Sequence, residues 1–489
     1  MHYIDGTWRG AAGAATRASI NPFDQSVIAT VAEGDRADAQ EAVAAARRAF
    51  DTGPWRQTTA SARGRLVTAL GQLVAEHADE LARIETLDTG KPLRDSEQDM
   101  ADIAGVFRYY GELADKDAGR EIPAPAAGIT SRVLREPVGV CGLICPWNYP
   151  LLQLSWKLAP ALAAGNTVVA KPSELTPLST LRLFELMTAL DLPPGVANLV
   201  LGPGPQVGAE LARSPGVDLV SFTGGIETGR QIMRAAAGNV KKIALELGGK
   251  NPNIIFADAA LDTALDYALT AAFLHSGQVC SAGARLLVEE GRYDEVVAWL
   301  AAAVPAIRLG SGLDPEAETG PLVSAEHRAK VEAYIRLGVE EGARLVCGGR
   351  RPDDPALAGG FFVEPTLFAD CDASLRIVRE EIFGPVLTVE RFASEDQAVA
   401  LANGTDYGLA GAVWTGDAGR AQRVAGALRA GTVWINDYHP YVPHAEWGGY
   451  KQSGLGRELG VAGFEEYTET KHVYENGAPR PQRVFAGRR

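Results

Sequence analysis

The strongest constraint on the fold is an alternation of short apolar segments with helical segments between residues 138 and 247. The apolar segments are VGVCGLIC, TVVAK, ANLVL, DLVSF and KIALEL, and the helical segments between them cover residues 151–164, 177–190, 205–213 and 228–237. Strands that alternate with helices form βαβ units, so the pattern predicts a parallel, doubly wound sheet with helices on both faces. Sheets of this kind bind nucleotides at the carboxyl ends of their strands.

A second alternating series extends from about residue 253 to 436 and predicts another α/β domain; it includes NIIF, ARLLVEE, PVLTVERF and TVWIN. The first hundred residues are predicted to be mostly helical, with helices over 36–50 and 61–87. Residues 122–137 contain three prolines and then alternate, which is typical of an exposed ribbon. The segment after Gly460 resembles an arm or an edge strand more than a core element.

Bulk composition excludes several classes of partner. A net charge of −14 on 489 residues disfavours nucleic acid and anionic membranes. The N-terminal segment MHYIDGTWRG lacks the basic and apolar regions of a signal peptide, and no apolar stretch is long enough to span a bilayer, so we expect a cytoplasmic protein. The five cysteines are too few and odd in number for a disulfide framework, which indicates a reducing compartment.

Two segments are candidates for holding a nucleotide, although the usual G-x-G-x-x-G is absent. Residues 223–229 (TGGIETG) end a strand and open a helix, where backbone N–H groups and the helix dipole favour phosphate, but a plain strand-to-helix turn explains them equally well. Residues 171–174 (KPSE) close another strand, where Lys171 and Glu174 are placed to hold ribose hydroxyls. Taken alone, Glu174 is explained better as a carboxylate at a helix N-terminus.

Cys280 and Glu246 are the candidates for chemistry. Cys280 lies in HSGQVCSAG, where small neighbours leave its sulfur accessible to act as a nucleophile. Glu246 ends a strand in LELGGKNP, where two glycines leave room beside a possible general base. The pairs Cys141/Cys145 and His439/His444 offer too few ligands for a metal, so no metal site is expected.

Seven motifs taken together carry a family resemblance: PWNYP, KPSE, FTGG, LELGGKNP, GQVCSAG, EEIFGPV and GGYKQSGLGRELG. In this order and spacing they resemble the NAD(P)-dependent aldehyde dehydrogenase superfamily across essentially the whole chain. The resemblance implies an α/β fold with three parts: a Rossmann-type cofactor domain (1–118 and 138–248), an α/β catalytic domain (249–455), and a small β oligomerisation ribbon with a C-terminal arm (119–137 and 456–489). It also implies a homodimer or homotetramer.

The resemblance assigns the catalytic roles. Cys280 would attack the aldehyde carbon, and the oxyanion would be held by Asn148 and the Cys280 backbone N–H. Glu246 would act through water as the general base. Lys157 and Glu458 match proton-relay positions in one branch of the family.

The resemblance also assigns the cofactor site. Lys171 and Glu174 would hold the adenosine ribose, Trp147 and the turn at 224–227 the pyrophosphate, and Glu381 with Phe383 the nicotinamide ribose. Glu174 would repel a 2′-phosphate, so NAD is expected in preference to NADP. The full set of expected cofactor contacts is Cys145, Pro146, Trp147, Lys171, Pro172, Ser173, Glu174, Gly202, Thr223, Gly224, Gly225, Ile226, Glu227, Gly248, Glu381 and Phe383.

Within the family, NDYHPYVPHAEWGGYKQSGLGRELG resembles the betaine aldehyde dehydrogenase branch. Tyr149, Trp156 and Trp447 match aromatic positions that surround a trimethylammonium group there, and Ser281 is expected beside them at the substrate. Cation–π attraction explains such a box, at about 0.5–2 kcal/mol per face. Spacing alone equally allows these rings to be packing in the tunnel wall.

Three departures leave the substrate open. Leu274 replaces a tryptophan found in many members of that branch, Gly225 replaces a serine, and Glu446 stands where proline is common and could add a carboxylate near a cation. Oxidation of betaine aldehyde is therefore expected, with ω-aminoaldehydes or generalist aliphatic aldehydes as alternatives. A CoA-acylating enzyme is disfavoured because Glu246 is present to activate water, and a non-catalytic descendant because no chemical residue is lost.

Overall fold

The computed structural model describes residues 1–116, 119–482 and 484. The chain begins with β1 (His2–Ile4), β2 (Thr7–Arg9), β3 (Thr16–Ile20) and β4 (Val27–Ala32), followed by α1 (Arg36–Thr52), α2 (Ala60–Glu76), α3 (Ala78–Thr89) and α4 (Leu93–Leu113). The prediction of a mostly helical start was therefore wrong for the first 32 residues, where β1 pairs with β2 and β3 with β4, both antiparallel. These strands are short and half-exposed, so they lack the continuous apolar runs that reveal a strand in a sequence.

The helix predicted over 61–87 is two helices, because His77 has φ −113° and ψ 21° and ends α2 where α3 begins. The leucine spacing continues across this break since Leu70 on α2 and Leu81 on α3 pack into one core.

The predicted doubly wound sheet is confirmed. After β5 (Arg120–Glu121) and β6 (Ile129–Pro137), the chain forms β7 (Val140–Ile144), α5 (Pro150–Ala164), β8 (Thr167–Lys171), α6 (Leu178–Met187), β9 (Ala197–Leu199), α7 (Ala209–Arg213), β10 (Leu219–Thr223), α8 (Ile226–Ala236) and β11 (Lys242–Glu246). The five strands β11, β10, β7, β8 and β9 lie side by side in that order and are parallel.

The strand order of the first sheet reverses its direction at one point. Successive strands β8 and β9 extend to one side of β7, whereas β10 and β11 extend to the other side. The direction of winding therefore reverses between β7 and β10, and ligands of such sheets bind beyond the carboxyl ends of the strands at this point. The segments that follow β7 and β10 are 145–149 and 224–225.

The second half of the chain builds a second sheet. Its elements are β12 (Pro252–Ile255), α9 (Leu261–Phe273), β13 (Arg285–Glu289), α10 (Tyr293–Ala303), α11 (Ala325–Glu340), β14 (Arg344–Cys347), β15 (Thr366–Cys371), α12 (Arg376–Arg379), β16 (Val386–Phe392), α13 (Glu395–Asn403), β17 (Ala410–Trp414), α14 (Ala418–Ala427) and β18 (Thr432–Ile435). The sheet order is β14-β15-β16-β13-β12-β17-β18, with only β14 antiparallel to its neighbour in the described chain. The second α/β unit is thereby confirmed.

The last elements return to the first half of the chain. They are β19 (Gly454–Leu455), α15 (Gly460–Glu466) and β20 (Thr468–Asn476). Strand β19 pairs with β11 at one edge of the first sheet, and β1 with β2 extends the other edge beyond β9. The expectation of an arm or edge strand after Gly460 was wrong for α15, whose Phe464 is buried in the core, because so short a helix shows no readable periodicity.

A three-stranded ribbon projects from this unit. Strand β20 pairs with β6 over nine residues, and β5 pairs with the other side of β6. The boundaries at 118, 137, 248 and 455 stay predictions, and residues 117–118, 483 and 485–489 of the expected parts lie outside the described residues. In the part of the chain that the structure covers, no helix combines the length and the apolarity needed to cross a bilayer.

Candidate active site

Cys280 lies on a tightly held loop between α9 and β13. The loop begins with a turn in which His275 and Ser276 have positive φ angles of 48° and 54°, a conformation that non-glycine residues adopt only when their surroundings hold it. The Ser276 N–H donates to Thr319 Oγ1 (2.8 Å), and the Asn251 side chain donates to the carbonyl of Cys280 (2.9 Å). These contacts fix the backbone at the sulfur.

Gly249 lies directly against this loop. A Cβ at Gly249 would sit 2.6 Å from the carbonyl oxygen of Cys280, so only glycine allows the end of the first sheet to approach so closely. The thiol is half-buried and less accessible than its small neighbours suggest. Burial raises the pKa of Cys280 to about 12, and the nearby negative charges of Glu381 and Glu246 add to the rise. At neutral pH the thiol is therefore protonated.

Asn148 reaches the Cys280 loop from the turn after β7. Its Nδ2 donates to the carbonyl oxygen of Gln278 (2.8 Å), and the side chain is buried. A side-chain amide has two hydrogens, so one remains to meet a developing negative charge. Gln278 is itself anchored by Val323, whose N–H donates to its side-chain oxygen (2.9 Å).

Glu246 ends β11, and both its carboxyl oxygens are buried without a hydrogen-bond partner among the described residues. Burial raises its pKa well above the ordinary value, and the negative charge of Glu458 raises it further. A Cβ at Gly448 would lie 2.9 Å from Glu246 Oε1, so glycine keeps the space beside this oxygen open. Burial and the charge of Glu458 both disfavour the charged form of the Glu246 carboxyl group.

Lys157 and Glu458 form a buried ion pair near this carboxyl group. Lys157 Nζ also donates to Thr223 Oγ1 (2.7 Å), and Ser221 donates to Glu458 (3.3 Å). The positive charge of Lys157 opposes the rise in the pKa of Glu246. A connected polar path thus runs behind the candidate base.

Lys171 and Glu174 meet at the carboxyl end of β8. Lys171 Nζ donates to Glu174 Oε2 (2.9 Å), and the other carboxylate oxygen accepts the N–H of Gly204 (3.4 Å). The following helix α6 has Pro177 as its N-cap and no side-chain cap, so Glu174 does not cap that helix. Glu174 instead accepts the N–H of Gly204, the first residue of the helical turn over 204–208, so both explanations stay open.

The turn after β10 leads into α8, and the N–H of Gly224 in this turn donates to the carbonyl of Glu246 (3.0 Å). Gly225 is the N-cap of α8 without a side-chain cap, and nothing lies within 4 Å of a Cβ built there. Free N–H groups at such a helix start suit a phosphate group. The Glu227 side chain is exposed and pairs with Arg230 (3.3 Å), so only its backbone faces this turn.

A second group of expected cofactor residues meets around Trp147. The Trp147 ring packs against Phe383 with the ring centroids 5.3 Å apart, and Phe383 has a positive φ of 62°. Glu381 accepts the N–H of Gly249 (2.9 Å), and a Cβ at Gly248 would lie 2.1 Å from Glu381 Oε2. Glycine at 248 is therefore required for this carboxylate to hold its place.

The remaining expected cofactor residues lie at the strand ends, and the polar groups of Cys145 and Thr223 are buried or already hydrogen-bonded. Cys145 is buried, burial raises its thiol pKa to about 12, and its backbone N–H donates to the carbonyl of Lys171 (3.0 Å). Thr223 is already engaged by Lys157 and by Gln153 (3.1 Å). The others lie along the same sheet edge: Pro146, Pro172, Ser173, Gly202, Gly224 and Ile226.

Trp156 and Trp447 come together in an aromatic cluster, and the structure adds Tyr441. The ring centroids of Trp156 and Trp447 are 6.2 Å apart, and Tyr441 lies 5.7 Å from the first and 4.9 Å from the second. Ser281 joins the cluster to the cysteine, since its hydroxyl and that of Tyr441 are 2.6 Å apart. We call Trp156, Trp447 and Tyr441 the aromatic cluster.

Tyr149 is placed differently from the other expected rings. Lys91 Nζ lies 4.6 Å from the centroid of its ring, and the His275 ring is 5.8 Å away. One cation already covers Tyr149, so this ring is less free than those of Trp156 and Trp447 to receive a second one.

Sequence reasoning missed Tyr441 because the segment HPYVPH drew attention only to its histidines. His439 lies 3.3 Å from the Ser281 hydroxyl, and burial lowers its pKa to about 4, while His444 is exposed. Glu446, expected to bring a carboxylate near a cation, is exposed and accepts the N–H of Ala462 in α15 (3.3 Å). The Glu446 carboxylate therefore binds the N-terminal end of α15.

Comparison with known proteins matches this geometry to one family. A sequence model of the aldehyde dehydrogenase family matches residues 8–473. The chain is 61% identical to betaine aldehyde dehydrogenase of Bacillus subtilis, covering 98% of this chain and 97% of that protein, and 42% identical to the chloroplastic betaine aldehyde dehydrogenase of Beta vulgaris, covering 98% and 97%. A crystal structure of betaine aldehyde dehydrogenase from Staphylococcus aureus in complex with NAD+ superposes with a TM-score of 0.98, at 54% identity, over 99% of this chain and 96% of that one.

Proposed function

The chain belongs to the aldehyde dehydrogenase family, and from this premise we propose that it oxidises betaine aldehyde to glycine betaine with NAD+. The observation that supports this substrate most directly is the aromatic cluster beside Ser281, the residue next to the candidate nucleophile. A trimethylammonium group offers no hydrogen-bond donor, so aromatic faces are the partners that suit it. The 61% identity to the Bacillus subtilis enzyme supports the same substrate.

The cysteine acts as the nucleophile and the asparagine as part of the oxyanion hole. Cys280 loses its proton and its Sγ adds to the aldehyde carbon, which turns the carbonyl oxygen into an oxyanion. Asn148 Nδ2 and the Cys280 backbone N–H donate to that oxygen. Because burial raises the thiol pKa to about 12, the proton must pass to a base in the site.

Glu246 is the base placed to receive that proton through a water molecule. Collapse of the thiohemiacetal transfers hydride to the nicotinamide, which NAD+ supplies when bound, and leaves a thioester on Cys280. After passing that first proton on, Glu246 takes a proton from the water that attacks the thioester carbon and gives it to the departing Cys280 sulfur, so that the carboxylic acid leaves and the thiol is restored. Its two carboxyl oxygens have no hydrogen-bond partner among the described residues, so both can accept from that water.

Lys157 and Glu458 form the proton path in this mechanism. They carry protons between Glu246 and the polar groups behind it, Thr223 and Ser221. This assignment rests on the hydrogen bonds that connect Lys157 and Glu458 with Thr223 and Ser221, and on the effect of both charges on the pKa of Glu246.

The residues at the sheet edge fit a dinucleotide. The uncapped start of α8 offers N–H groups to the pyrophosphate, and Gly225 leaves space for it. Lys171 and Glu174 would hold the adenosine ribose, and Glu381 and Phe383 the nicotinamide ribose. The Glu174 carboxylate disfavours a 2′-phosphate, so NAD+ is preferred to NADP+.

The ribbon would join subunits. Strand β20 is the edge of its three-stranded sheet, and its Tyr474 is 54% exposed. A nine-residue edge with exposed aromatic surface suits pairing with a second copy of this chain. We therefore place self-association, as a homodimer or homotetramer, at β5, β6 and β20.

A panel of aldehydes tests the proposal. NADH formation is measured with betaine aldehyde, 4-aminobutyraldehyde and hexanal for the wild type, for Cys280→Ala and for the control Cys347→Ala, which removes a half-buried thiol from β14. We expect the highest kcat/KM for betaine aldehyde, complete loss in Cys280→Ala, and wild-type rates in the control. Retained activity in Cys280→Ala would show that Cys280 is not the nucleophile. A higher kcat/KM for 4-aminobutyraldehyde or hexanal would show that betaine aldehyde is not the preferred substrate.

A further inference from the structure

The N-terminal hairpin of β3 and β4 forms one wall of the hollow beside Glu174. Arg17 from β3 and Glu33, which follows β4, line this hollow together with Ser173, Glu174 and Gly202. The hairpin was not among the segments that the sequence connected with a nucleotide. Its contribution to the hollow brings two additional charged side chains to the site proposed for the adenosine ribose.

Close backbone contacts fix this wall in place. The N–H of Gly34 donates to the carbonyl of Leu201 (3.1 Å), and a Cβ at Gly202 would lie 2.4 Å from the carbonyl oxygen of Gly34. Glu33 is also held by its backbone, since its N–H donates to the carbonyl of Ala15 (2.9 Å). The positions of the two charged side chains therefore follow from the packing of the hairpin on the end of β9.

The two side chains pair with each other. Arg17 Nη2 donates to Glu33 Oε1 at 2.8 Å, while Arg17 Nε is buried and has no hydrogen-bond partner among the described residues. The Arg17 side chain thus lines the hollow, and its charge is compensated by a carboxylate. A second carboxylate, Glu174, lies in the same hollow and is itself paired with Lys171.

We propose that the Arg17–Glu33 pair is a cofactor-specificity element, in which Glu33 holds Arg17 back from a 2′-phosphate and thereby favours NAD+ over NADP+. The inference rests on the proposed cofactor site and adds a determinant from outside the doubly wound sheet. A free guanidinium is a strong partner for phosphate because it donates two parallel hydrogen bonds. Removing the Glu33 charge while keeping its shape should therefore release a phosphate-binding group into the hollow.

Equilibrium binding to the enzyme without aldehyde tests this element. Dissociation constants for NAD+, NADP+, 5′-AMP and 2′,5′-ADP are measured by calorimetry for the wild type, Glu33→Gln and Glu33→Gln combined with Arg17→Met. The matched control is Glu41→Gln, since Glu41 also pairs with an arginine from an N-terminal strand, Arg9, but does not line the hollow.

We expect Glu33→Gln to shift the ratio of NADP+ to NAD+ affinity by about tenfold toward NADP+, with the same shift for 2′,5′-ADP over 5′-AMP. Addition of Arg17→Met should abolish the shift, and Glu41→Gln should leave both ratios at the wild-type value. A ratio within twofold of wild type in Glu33→Gln, or a gain that survives Arg17→Met, would overturn the proposal. A merely structural effect of Glu33 would weaken both cofactors together and leave the ratio unchanged.

These outcomes are separable from failure of the proposed function. The probes bind without turnover, so the result does not depend on which aldehyde is oxidised. If the wild type binds neither 5′-AMP nor NAD+, the proposed cofactor site itself is wrong. If it binds both and Glu33→Gln does not change the ratio, only the specificity element is wrong.

Discussion

Replacing Trp447 by leucine should convert a selective enzyme into one that is nearly indifferent to the charge of its aldehyde. Trp447 is 4% exposed and packs against Trp156 and Tyr441, so a cation held there is largely shielded from water. Cation–π attraction for a desolvated cation lies toward the upper end of its range, about 1–2 kcal/mol for one indole face. At about 1.4 kcal/mol per tenfold change, this corresponds to roughly a 5- to 30-fold loss.

The assay compares two aldehydes that have nearly the same shape. Betaine aldehyde carries a trimethylammonium group where 3,3-dimethylbutanal carries a tert-butyl group, so the ratio of their kcat/KM values isolates the charge. Trp447→Leu should lower this ratio by roughly 5- to 30-fold relative to wild type, because both substrates share any loss caused by altered packing. Trp299→Leu, on the outer surface of α10, is the control and should leave the ratio unchanged.

One outcome would refute this reasoning. If Trp447→Leu lowers kcat/KM for both aldehydes by the same factor, the indole contributes shape and apolar contact only. The aromatic cluster would then be packing of the tunnel wall, which is the alternative that the spacing of these residues left open.

Three further predictions follow from the geometry. Arg285→Met should destabilise the fold by about 3–5 kcal/mol, because Arg285 and its partner Glu390 are both buried. Arg344→Met, which breaks an exposed pair with Asp370, should cost at most about 1 kcal/mol. Denaturant unfolding measures both free energies. Gly248→Ala should weaken NAD+ binding at least about tenfold in calorimetry, since its Cβ would displace the Glu381 carboxylate, and unchanged affinity would contradict the assigned ribose contact. Because the pKa of Glu246 is raised, its base form accumulates as the pH increases, so steady-state rates should rise with pH. Glu246→Gln should abolish that rise, and a rise that persists in the variant would assign it to another group.

The parallel strands of the first sheet could be predicted because they are buried on both faces. Strands β7, β8 and β10 are fully buried and read as continuous apolar runs, which periodic analysis detects easily. Strand β17 has the sequence AGAVW, whose small residues give no such signal, and β19 is only two residues long. Their places are set by tertiary pairing with β12 and β11, which no local pattern reveals.

In the candidate site, too, residues with a local sequence signal could be predicted, and contacts between separate elements could not. Cys280 and Glu246 could be found because their small neighbours mark a backbone that approaches a ligand or another strand, and Gly249 does lie against the cysteine loop. The pairing of Lys91 with the Tyr149 ring could not be found, since it joins the start of α4 to the turn after β7. Contacts of this kind depend on how separate elements pack, and no local sequence pattern reveals them. They determine which of the expected aromatic rings is free to receive a cationic substrate.

The return of the chain's last segment to its first sheet has a consequence for biosynthesis. Lys157 and Glu458 are separated by 301 positions, and β19 closes the edge of the sheet beside β11 only after the whole second α/β unit has been made. On the ribosome, the cofactor-binding half therefore waits for residues 454–458 before the surroundings of Glu246 are complete. Such long sequence separation slows this folding step and delays a competent base until residues 454–458 have been made.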